Sequence, residues 1–214
     1  DLKFPDGMDD SVSFYSRFGK RVFDVMIVML FAPIVLSLVL PMALLISFDG
    51  SNPFYRQTRI GKGGKQFRMW KFRSMVSNAD AKLDAYLDTH PDAKDEWDKM
   101  QKLKNDPRIT KIGRFIRKTS MDELPQLWNV LKGEMSLVGP RPGLYNQAEL
   151  TAARESEGVF DVRPGITGLA QVNDIDMSTP ELLAKTDAKM IREMSVVNYF
   201  KFILQTVTGK GSGD

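Results

Sequence analysis

The sequence has 214 residues, of which 43% are hydrophobic and 27% charged, and this ordinary balance excludes a wholly disordered chain. It contains no cysteine and a single histidine, His90, which excludes disulfides and cysteine nucleophiles and nearly excludes a histidine metal cluster or a Ser-His triad. The net charge of +3 is an average over very unevenly placed charges. The length predicts one domain with an appendage, whose chemistry must rely on carboxylates, basic side chains and backbone groups.

Residues 25–48 read VMIVMLFAPIVLSLVLPMALLISF and contain no charged residue. As an α-helix these 24 residues would measure roughly 36 Å, enough to cross the hydrocarbon core of a bilayer. A cleaved signal peptide is excluded, because the apolar stretch is too long and no small-residue cleavage site follows it. A buried core helix and a membrane helix remain, and we favour the membrane helix because core helices rarely run this long with so little polarity.

Prolines and flanking charges favour a re-entrant membrane helix over a span. Pro33 and Pro41 lie in the interior of the segment, where proline removes a hydrogen bond and bends or breaks a helix. A span is expected to have its basic excess on one side only. Here both flanks are basic, with Arg17, Lys20 and Arg21 before the segment and Arg56, Arg59, Lys62 and Lys65 after it. We therefore expect a bend at Ala32-Pro33 that returns the chain to the same face of the membrane.

Residues 50–75 carry seven basic residues and no acid. Two alternating stretches, PFYRQTRI and KQFRMWKFRSM, predict two strands joined by a turn at residues 61–64, with Phe67, Met69 and Phe72 facing the core. The GKGGK string lacks the spacing and the Lys-Ser/Thr ending of a phosphate-binding loop, so we interpret it as a hairpin turn. The basic hairpin suits anionic headgroups, phosphorylated substrates or nucleic acid.

Residues 77–105 have the opposite composition, with acids and lysines alternating between apolar residues at helical spacing. The pattern predicts two solvated amphipathic helices separated by Pro91, with His90 in the loop between them and no metal site. Acids of this region offset the basic blocks in the net charge.

Residues 105–142 place one acidic pair, Asp122-Glu123, after a run of basic residues. Ser120 and Glu123 have the spacing of a capping box, so one interpretation is structural: Glu123 caps a helix and Asp122 complements its dipole. The other interpretation is chemical. A helix N-terminus holds phosphate, aspartate can form an acyl-phosphate, and two adjacent acids can share an Mg²⁺ ion that bridges substrate phosphates. The basic side chains that would then clamp diphosphate charge are Lys71, Arg117 and Arg141.

Four motifs are long enough for comparison with known families: KFRSM (71–75), DPRIT (106–110), RKTSMDELPQLWNVLKGEMSLVGPRP (117–142) and VRPGITGLAQV (162–172). Together they resemble the bacterial sugar transferase family of monotopic phosphoglycosyl transferases, from the region of Phe18 to Gly209. The resemblance implies transfer of a sugar 1-phosphate from a UDP-sugar to undecaprenyl phosphate, which yields a polyprenyl-diphosphate sugar and UMP. It also implies Mg²⁺ and a ping-pong mechanism through a covalent phospho-sugar on the first acid of the pair.

Matched residue by residue, the resemblance makes Asp122 the nucleophile and Glu123 its partner, and both are expected to bind Mg²⁺. The expected phosphate- or nucleotide-binding residues are Lys71, Arg73, Arg117, Arg141 and Arg163. Two positions depart from the family: Ala32 stands where relatives have serine before the proline, and Leu169 where many have tryptophan. Arg163 precedes a predicted tight turn at residues 164–168, for which a structural turn with a surface arginine is the alternative.

The predicted fold class is a mixed α/β chain, helix-dominated, with few short strands and a re-entrant N-terminal membrane helix broken at Pro33. We divide the chain into an N-terminal extension (1–16), the membrane helix with its flank (17–49), a cytosolic membrane-associated catalytic domain (50–209) and a tail (210–214). A last helix is predicted from Ser195 to Gly209. Its apolar face either packs on the core or lies on the bilayer interface.

The expected partners are a UDP-sugar donor, a polyprenyl phosphate acceptor and the lipid bilayer, without nucleic acid, and a homodimer is allowed. The expected location is the bacterial inner (cytoplasmic) membrane, with the catalytic domain on the cytoplasmic face and Asp122 near the level of the headgroups. The alternative function is a membrane-anchored basic module that binds anionic lipid or nucleic acid. That alternative does not explain an acidic pair among the cations.

Overall fold

A computed structural model describes residues 19–100, 103–175 and 178–208. The predicted extension (1–16), the tail (210–214) and the flanking Arg17 lie outside these residues. Helices dominate the described chain and the four strands are short, as predicted.

The apolar segment forms one helix, α1 (Lys20–Ile46), with Pro33 and Pro41 inside it. The predicted break at Ala32-Pro33 is not shown, because the helix runs through both prolines without interruption. By length and composition it could cross a membrane, since its most apolar 18-residue window has a mean hydropathy of 2.6. Only 11% of that window is buried, whereas the core helix of a soluble protein is mostly buried.

Helix α1 contacts the rest of the protein near both of its ends, and most of its middle is exposed. Near its start, Arg21 donates hydrogen bonds to the backbone carbonyls of Val130 and Leu131. Near its end, Met42 and Ile46 are buried in an apolar cluster with residues of the following domain. Both ends of the helix are therefore attached to the same body.

The basic block forms the predicted hairpin. Strands β1 (Phe54–Ile60) and β2 (Gln66–Phe72) pair antiparallel, with Phe54 opposite Phe72 and Ile60 opposite Gln66. The turn between them is a short 3-10 segment, Lys62–Gly64, in which Gly63 and Gly64 adopt the positive φ that glycine accommodates without strain. Of the three residues predicted to face the core, Met69 and Phe72 are buried and Phe67 is partly buried.

The charged region forms the two predicted helices, α2 (Ala79–Thr89) and α3 (Pro91–Met100). His90 lies between them as predicted, and its ring stacks on Tyr86 with 4.1 Å between ring centroids. Helix α4 (Lys111–Lys118) begins after Thr110, whose hydroxyl oxygen accepts a hydrogen bond from the amide of Gly113 (2.8 Å). Helix α5 (Gln126–Lys132) follows a 3-10 turn, Met121–Glu123.

The C-terminal half surrounds a second small sheet, in which β3 (Ser136–Val138) pairs parallel with β4 (Gly165–Thr167). The predicted turn at residues 164–168 is thus replaced in part by a strand. Gly165 and Gly139 are in direct contact, since a Cβ on Gly165 would lie 2.0 Å from the amide nitrogen of Gly139. The remaining helices are α6 (Ala148–Ser156), α7 (Leu169–Val172), α8 (Pro180–Arg192) and α9 (Val196–Val207).

Helix α9 begins as predicted, with the hydroxyl oxygen of Ser195 accepting a hydrogen bond from the amide of Asn198. It ends at Val207, two positions before the predicted residue. Its apolar residues divide between two faces, because Tyr199 and Phe202 are buried in the core. The residues on its exposed face are Val197, Phe200, Leu204 and Val207.

Candidate active site

The acidic pair lies on the 3-10 turn between α4 and α5. Ser120, just before the turn, has a φ of 53°, and its side chain makes no capping hydrogen bond, so the predicted capping box is wrong. The carboxylate of Glu123 binds basic side chains from other elements and does not reach back to the turn. Both acidic side chains are largely enclosed, with 14% of Asp122 and 19% of Glu123 exposed.

Lys71 joins the two carboxylates from strand β2. Its ammonium nitrogen Nζ lies 2.9 Å from Oε1 of Glu123 and 3.6 Å from Oδ2 of Asp122. Lys71 is the penultimate residue of β2, opposite Tyr55 in the hairpin. The hairpin therefore brings one cation between two acids that follow it by about 50 positions in the chain.

Arg141 approaches Glu123 from the loop after β3, with 3.1 Å between its Nη2 and Oε1 of Glu123. The backbone of this loop is held by a buried ion pair. Arg154 donates from Nη1 to the carbonyl oxygen of Arg141 (2.8 Å), and its Nη2 lies 2.7 Å from Oδ2 of Asp187. Because both partners of this ion pair are almost completely buried, the pair fixes the position from which Arg141 reaches the site.

Arg117 approaches the pair from the last turn of α4. Its Nε donates to the hydroxyl oxygen of Ser74 (2.9 Å), and its charge acts on Asp122. Three of the predicted cations, Lys71, Arg117 and Arg141, therefore surround the acidic pair.

The environment separates the pKa values of the two acids. Burial raises the pKa of Asp122 above its ordinary value, although the charge of Lys71 opposes this effect. Burial also acts to raise the pKa of Glu123, but Arg141 and Lys71 outweigh it and hold that pKa below its ordinary value. Glu123 is thus the carboxylate that is held as an anion, and Asp122 is the more basic of the two.

Arg73 and Arg163 make hydrogen bonds away from the acidic pair. Arg73 donates to the carbonyl oxygen of Ile46 (3.0 Å) at the C-terminal end of α1, to the carbonyl oxygen of Asn52 (2.8 Å) in the loop that follows, and to the hydroxyl of Ser77 (3.2 Å). Arg163 donates from Nε to the carbonyl oxygen of Gly133 (2.8 Å), at the end of α5. These contacts favour a role in holding helix ends, and binding of phosphate or nucleotide by the two residues stays a prediction.

Arg59 and Gln126, which the sequence did not single out for the site, also line the cavity beside the acidic pair. Its lining includes Arg59, Met69, Glu123, Gln126, Arg141 and Pro142. Gln126 is only 2% exposed. Burial and the charge of Arg141 lower the pKa of Arg59 to about 10. Because side chains alternate along a strand, Arg56 and Arg59 lie on opposite faces of β1. The alternation does not predict which of the two faces is turned toward the site.

The acidic pair suits a magnesium ion whose other ligands would be phosphate oxygens of the substrate and water. Within the described ranges there is no group of three histidine, cysteine or acidic residues that could hold a metal alone. Glu123 uses only Oε1 for its two cations, and Asp122 has only Oδ2 near Lys71, which leaves one oxygen on each acid without a described partner. Mg²⁺ prefers one or two carboxylates completed by phosphate oxygens and water, so these two oxygens suit it.

Comparison with known proteins identifies the family of the chain. The sequence model of the bacterial sugar transferase family matches residues 15–210. The chain is 43% identical over 192 residues to the UDP-galactose-lipid carrier transferase of Erwinia amylovora, a match that covers 90% of this chain and 40% of that protein. It is 44% identical over 170 residues to the exopolysaccharide production protein ExoY of Rhizobium meliloti, covering 75% and 73%.

A third relative is the UDP-glucose:undecaprenyl-phosphate glucose-1-phosphate transferase of Escherichia coli, which is 36% identical over 208 residues, covering 93% of this chain and 41% of that protein. The chain thus spans less than half the length of the Erwinia and Escherichia proteins and about three quarters of ExoY. Since the sequence model of the family covers nearly the whole chain, and ExoY is similar over most of its own length, the chain belongs to the bacterial sugar transferase family.

Proposed function

We propose that the protein transfers a sugar 1-phosphate from a UDP-sugar to undecaprenyl phosphate, and that it releases UMP. The observation that carries the proposal is an enclosed acidic pair, Asp122-Glu123, surrounded by the cations Lys71, Arg117 and Arg141. A cationic cluster binds the diphosphate of the donor, and a carboxylate inside it supplies a nucleophile. The names of two relatives, which specify a UDP-galactose-lipid carrier and UDP-glucose with undecaprenyl phosphate, support the same substrate classes.

The proposed reaction has two steps. In the first, an oxygen of Asp122 attacks the phosphorus that carries the sugar, a new P–O bond forms, and the P–O bond to UMP breaks with its electron pair leaving on UMP. In the second, a phosphate oxygen of the lipid attacks the same phosphorus and the carboxylate of Asp122 leaves. The raised pKa of Asp122 supports its role as the nucleophile, while Lys71 and Arg117 keep it ionised and offset charge at phosphorus.

Mg²⁺ would be held by Asp122 and Glu123 and would neutralise phosphate charge. Glu123 keeps its charge because Arg141 and Lys71 lower its pKa, so it remains a ligand over a wide pH range. Arg141 and Lys71 contact the other oxygen of that carboxylate and orient it.

We propose that α1 enters and leaves the bilayer on the same, cytoplasmic face. The support is that both ends of the helix attach to one body, through Arg21 near its start and Ile46 near its end. A span would carry these ends to opposite faces of the bilayer. The exposed apolar face of α9 is continuous with this region, since Phe200 contacts Phe23 of α1 (5.7 Å between ring centroids). Together these surfaces would hold the acidic pair near the headgroups, where the acceptor phosphate lies.

Cysteine substitution tests this topology, because the chain has no native cysteine. Val22→Cys and Arg56→Cys should both react with a membrane-impermeant thiol reagent from the cytoplasmic side of oriented vesicles. Leu36→Cys, in the middle of α1, should react from neither side. Labelling of the first two positions from opposite sides would establish a span and end the re-entrant proposal.

Asp122→Asn tests the chemistry. UMP release from a panel of UDP-hexoses, with Mg²⁺ and undecaprenyl phosphate, should fall by at least about 1,000-fold, since the amide is not a nucleophile. The covalent sugar phosphate that mass spectrometry should detect on the wild-type protein without acceptor should be absent from the variant. Asp84→Asn, on the exposed face of α2, is the matched control and should retain wild-type rates. Near-normal UMP release by Asp122→Asn would rule out the covalent mechanism.

The alternative, a membrane-anchored basic binding module, is less well supported. It accounts for the cations but gives no reason for two enclosed carboxylates among them. Such a module would bind nucleic acid or anionic lipid in a salt-dependent way that is indifferent to Asp122→Asn.

A further inference from the structure

Among the described residues Arg59 forms no direct ion pair, although Glu123 lines the same cavity and its charge acts on the guanidinium group. Its Nε and Nη2 donate to Oε1 of Gln57 (3.2 and 2.7 Å), and its Nη1 donates to the carbonyl oxygen of Pro142 (3.0 Å). All these acceptors are neutral, and in the part of the chain that the structure describes no carboxylate forms an ion pair with Arg59. A partly buried guanidinium without a direct ion-pair partner is costly, unless an anion binds beside it.

The same cavity contains a second guanidinium, that of Arg141. The single carboxylate in its lining, Glu123, already shares one oxygen between Lys71 and Arg141. Two like charges that line one cavity repel each other. An anion bound between them would replace this repulsion with attraction to both guanidinium groups. Two arginine forks facing one cavity favour phosphate, which arginine binds in bidentate fashion.

The order of the charges indicates which phosphate this is. Lys71 contacts both Asp122 and Glu123, and Arg141 contacts Glu123. The lining of the cavity includes Glu123, Arg59 and Arg141 but not Asp122, so the two arginines lie beyond Glu123 as seen from Asp122. If the sugar-bearing phosphate reacts at Asp122, the adjoining phosphate of the same diphosphate extends past Glu123 toward the two arginines.

A second, more open cleft continues in that direction and shares Arg141 and Pro142 with the first. Most of its lining is apolar, including Ile60, Phe160 and Val162, and its charged groups are the guanidinium groups of Arg141 and Arg154. A cleft with apolar walls and cationic groups, directly beyond a phosphate site, suits a nucleoside attached to a phosphate.

We propose that Arg59 and Arg141 form the subsite for the nucleotide phosphate of the donor, the phosphate that leaves as part of UMP. This assignment rests on the proposed function and goes beyond it in orienting the donor: the sugar phosphate lies at Asp122 and the nucleotide lies toward the second cleft. Arg59 binds substrate directly from β1.

Arg59→Met tests the subsite by its affinity for UMP. The dissociation constant of UMP, measured by equilibrium dialysis, and its inhibition constant as a product inhibitor should both rise about 10- to 100-fold, the range for a lost charged hydrogen-bonding pair. The KM for the UDP-sugar should rise with them, and the KM for undecaprenyl phosphate should stay within about twofold. Arg59→Lys, which keeps the charge and loses the fork, should fall between wild type and Arg59→Met.

Arg56→Met is the matched control, because Arg56 is an exposed arginine of the same strand that lies over the ring of Trp70 (5.1 Å to the centroid). It should leave the affinity for UMP unchanged. Partial unfolding of Arg59→Met would lower the concentration of active enzyme but leave the inhibition constant as in wild type, so misfolding does not imitate the expected result.

Unchanged UMP affinity in Arg59→Met would overturn the assignment. A rise in the KM for undecaprenyl phosphate alone would also overturn it and would assign Arg59 to the acceptor. A failure of the proposed function is a different result: the wild-type protein would then release no UMP from any UDP-sugar. Because equilibrium dialysis needs no turnover, loss of UMP binding in Arg59→Met would still support the subsite in that case.

Discussion

Asp24 is a buried carboxylate that helps to attach α1 to the domain. The free energy that one of its hydrogen bonds contributes to folding can be measured. Asp24 is 1% exposed, and its Oδ1 accepts hydrogen bonds from the hydroxyl of Tyr199 (2.8 Å), the hydroxyl of Ser136 (3.1 Å) and the amide of Leu137 (2.9 Å). The hydroxyl of Tyr199 thus links α1 to α9. Tyr199→Phe removes this one oxygen atom and keeps the ring in the core.

The expected cost follows from the contacts that remain. A hydrogen bond to a charged acceptor contributes about 1.5–3 kcal/mol, and Asp24 keeps two other donors, so we expect the lower part of this range, about 1.5–2 kcal/mol. Tyr199 is completely buried, so water cannot replace the lost donor. For a protein of this size about 2–4 °C of melting temperature corresponds to 1 kcal/mol, which predicts a fall of about 3–8 °C.

Thermal unfolding in detergent micelles, followed by tryptophan fluorescence, measures this shift. Tyr145→Phe is the control, because Tyr145 is 60% exposed and its loss of a hydroxyl should leave the melting temperature unchanged. A melting temperature of Tyr199→Phe equal to that of wild type would refute the reasoning, since it would mean that the hydrogen bond between α1 and α9 contributes no net stability.

Two further predictions concern the site. Lys71→Met should move the acidic limb of the pH profile of kcat/KM to higher pH, because Asp122 must be ionised to attack and the charge of Lys71 lowers its pKa. Gly165→Ala should abolish UMP release and destabilise the fold by about 1–3 kcal/mol, which corresponds to a fall of about 2–12 °C in the melting temperature. The added Cβ would lie 2.0 Å from the backbone of Gly139, so the loop that carries Arg141 must move.

Each of these substitutions has a control in the hairpin. Arg56→Met removes a cation from β1 outside the site and should leave the pH profile unchanged. An unshifted pH profile in Lys71→Met would contradict the assignment of Asp122 as the ionising group. Gly64→Ala adds a Cβ at a φ of +70° with no atom within 4 Å, so it should cost only about 1 kcal/mol and preserve activity. Wild-type activity in Gly165→Ala would show that the contact between the two loops is dispensable.

The acidic pair shows what neighbouring residues in the sequence can predict and what they cannot. The motifs predict a site at Asp122-Glu123 with Lys71, Arg117 and Arg141, and the structure places these side chains together, but the spacing of Ser120 and Glu123 predicts a capping box that does not form. Lys71 and Arg141, 52 and 18 positions away in the chain, take the carboxylate of Glu123 instead. Spacing describes neighbours within one helix, and it contains no information on partners that arrive from other elements.

The arginines make the same point. Arg59 and Arg73 belong to the same basic stretch of the sequence, and nothing local distinguishes them. The structure directs Arg59 into the cavity, whereas Arg73 donates to the carbonyl oxygen of Ile46 at the end of α1, and Arg163 donates to the carbonyl oxygen of Gly133 at the end of α5. Leu169, which departs from the family pattern, packs against the core cluster around Tyr199.

The sequence by itself determined the long uncharged helix, the basic hairpin, the pair of charged helices around Pro91 and the identity of the acidic pair. Composition and periodicity are properties of neighbouring residues, so they suffice for such elements. Only the tertiary structure decided that both ends of α1 attach to one body, that Glu123 binds two cations and that Arg59 enters the cavity. The bond between Asp24 and Tyr199 joins residues 175 positions apart, and such a contact exists only once the elements between them have packed.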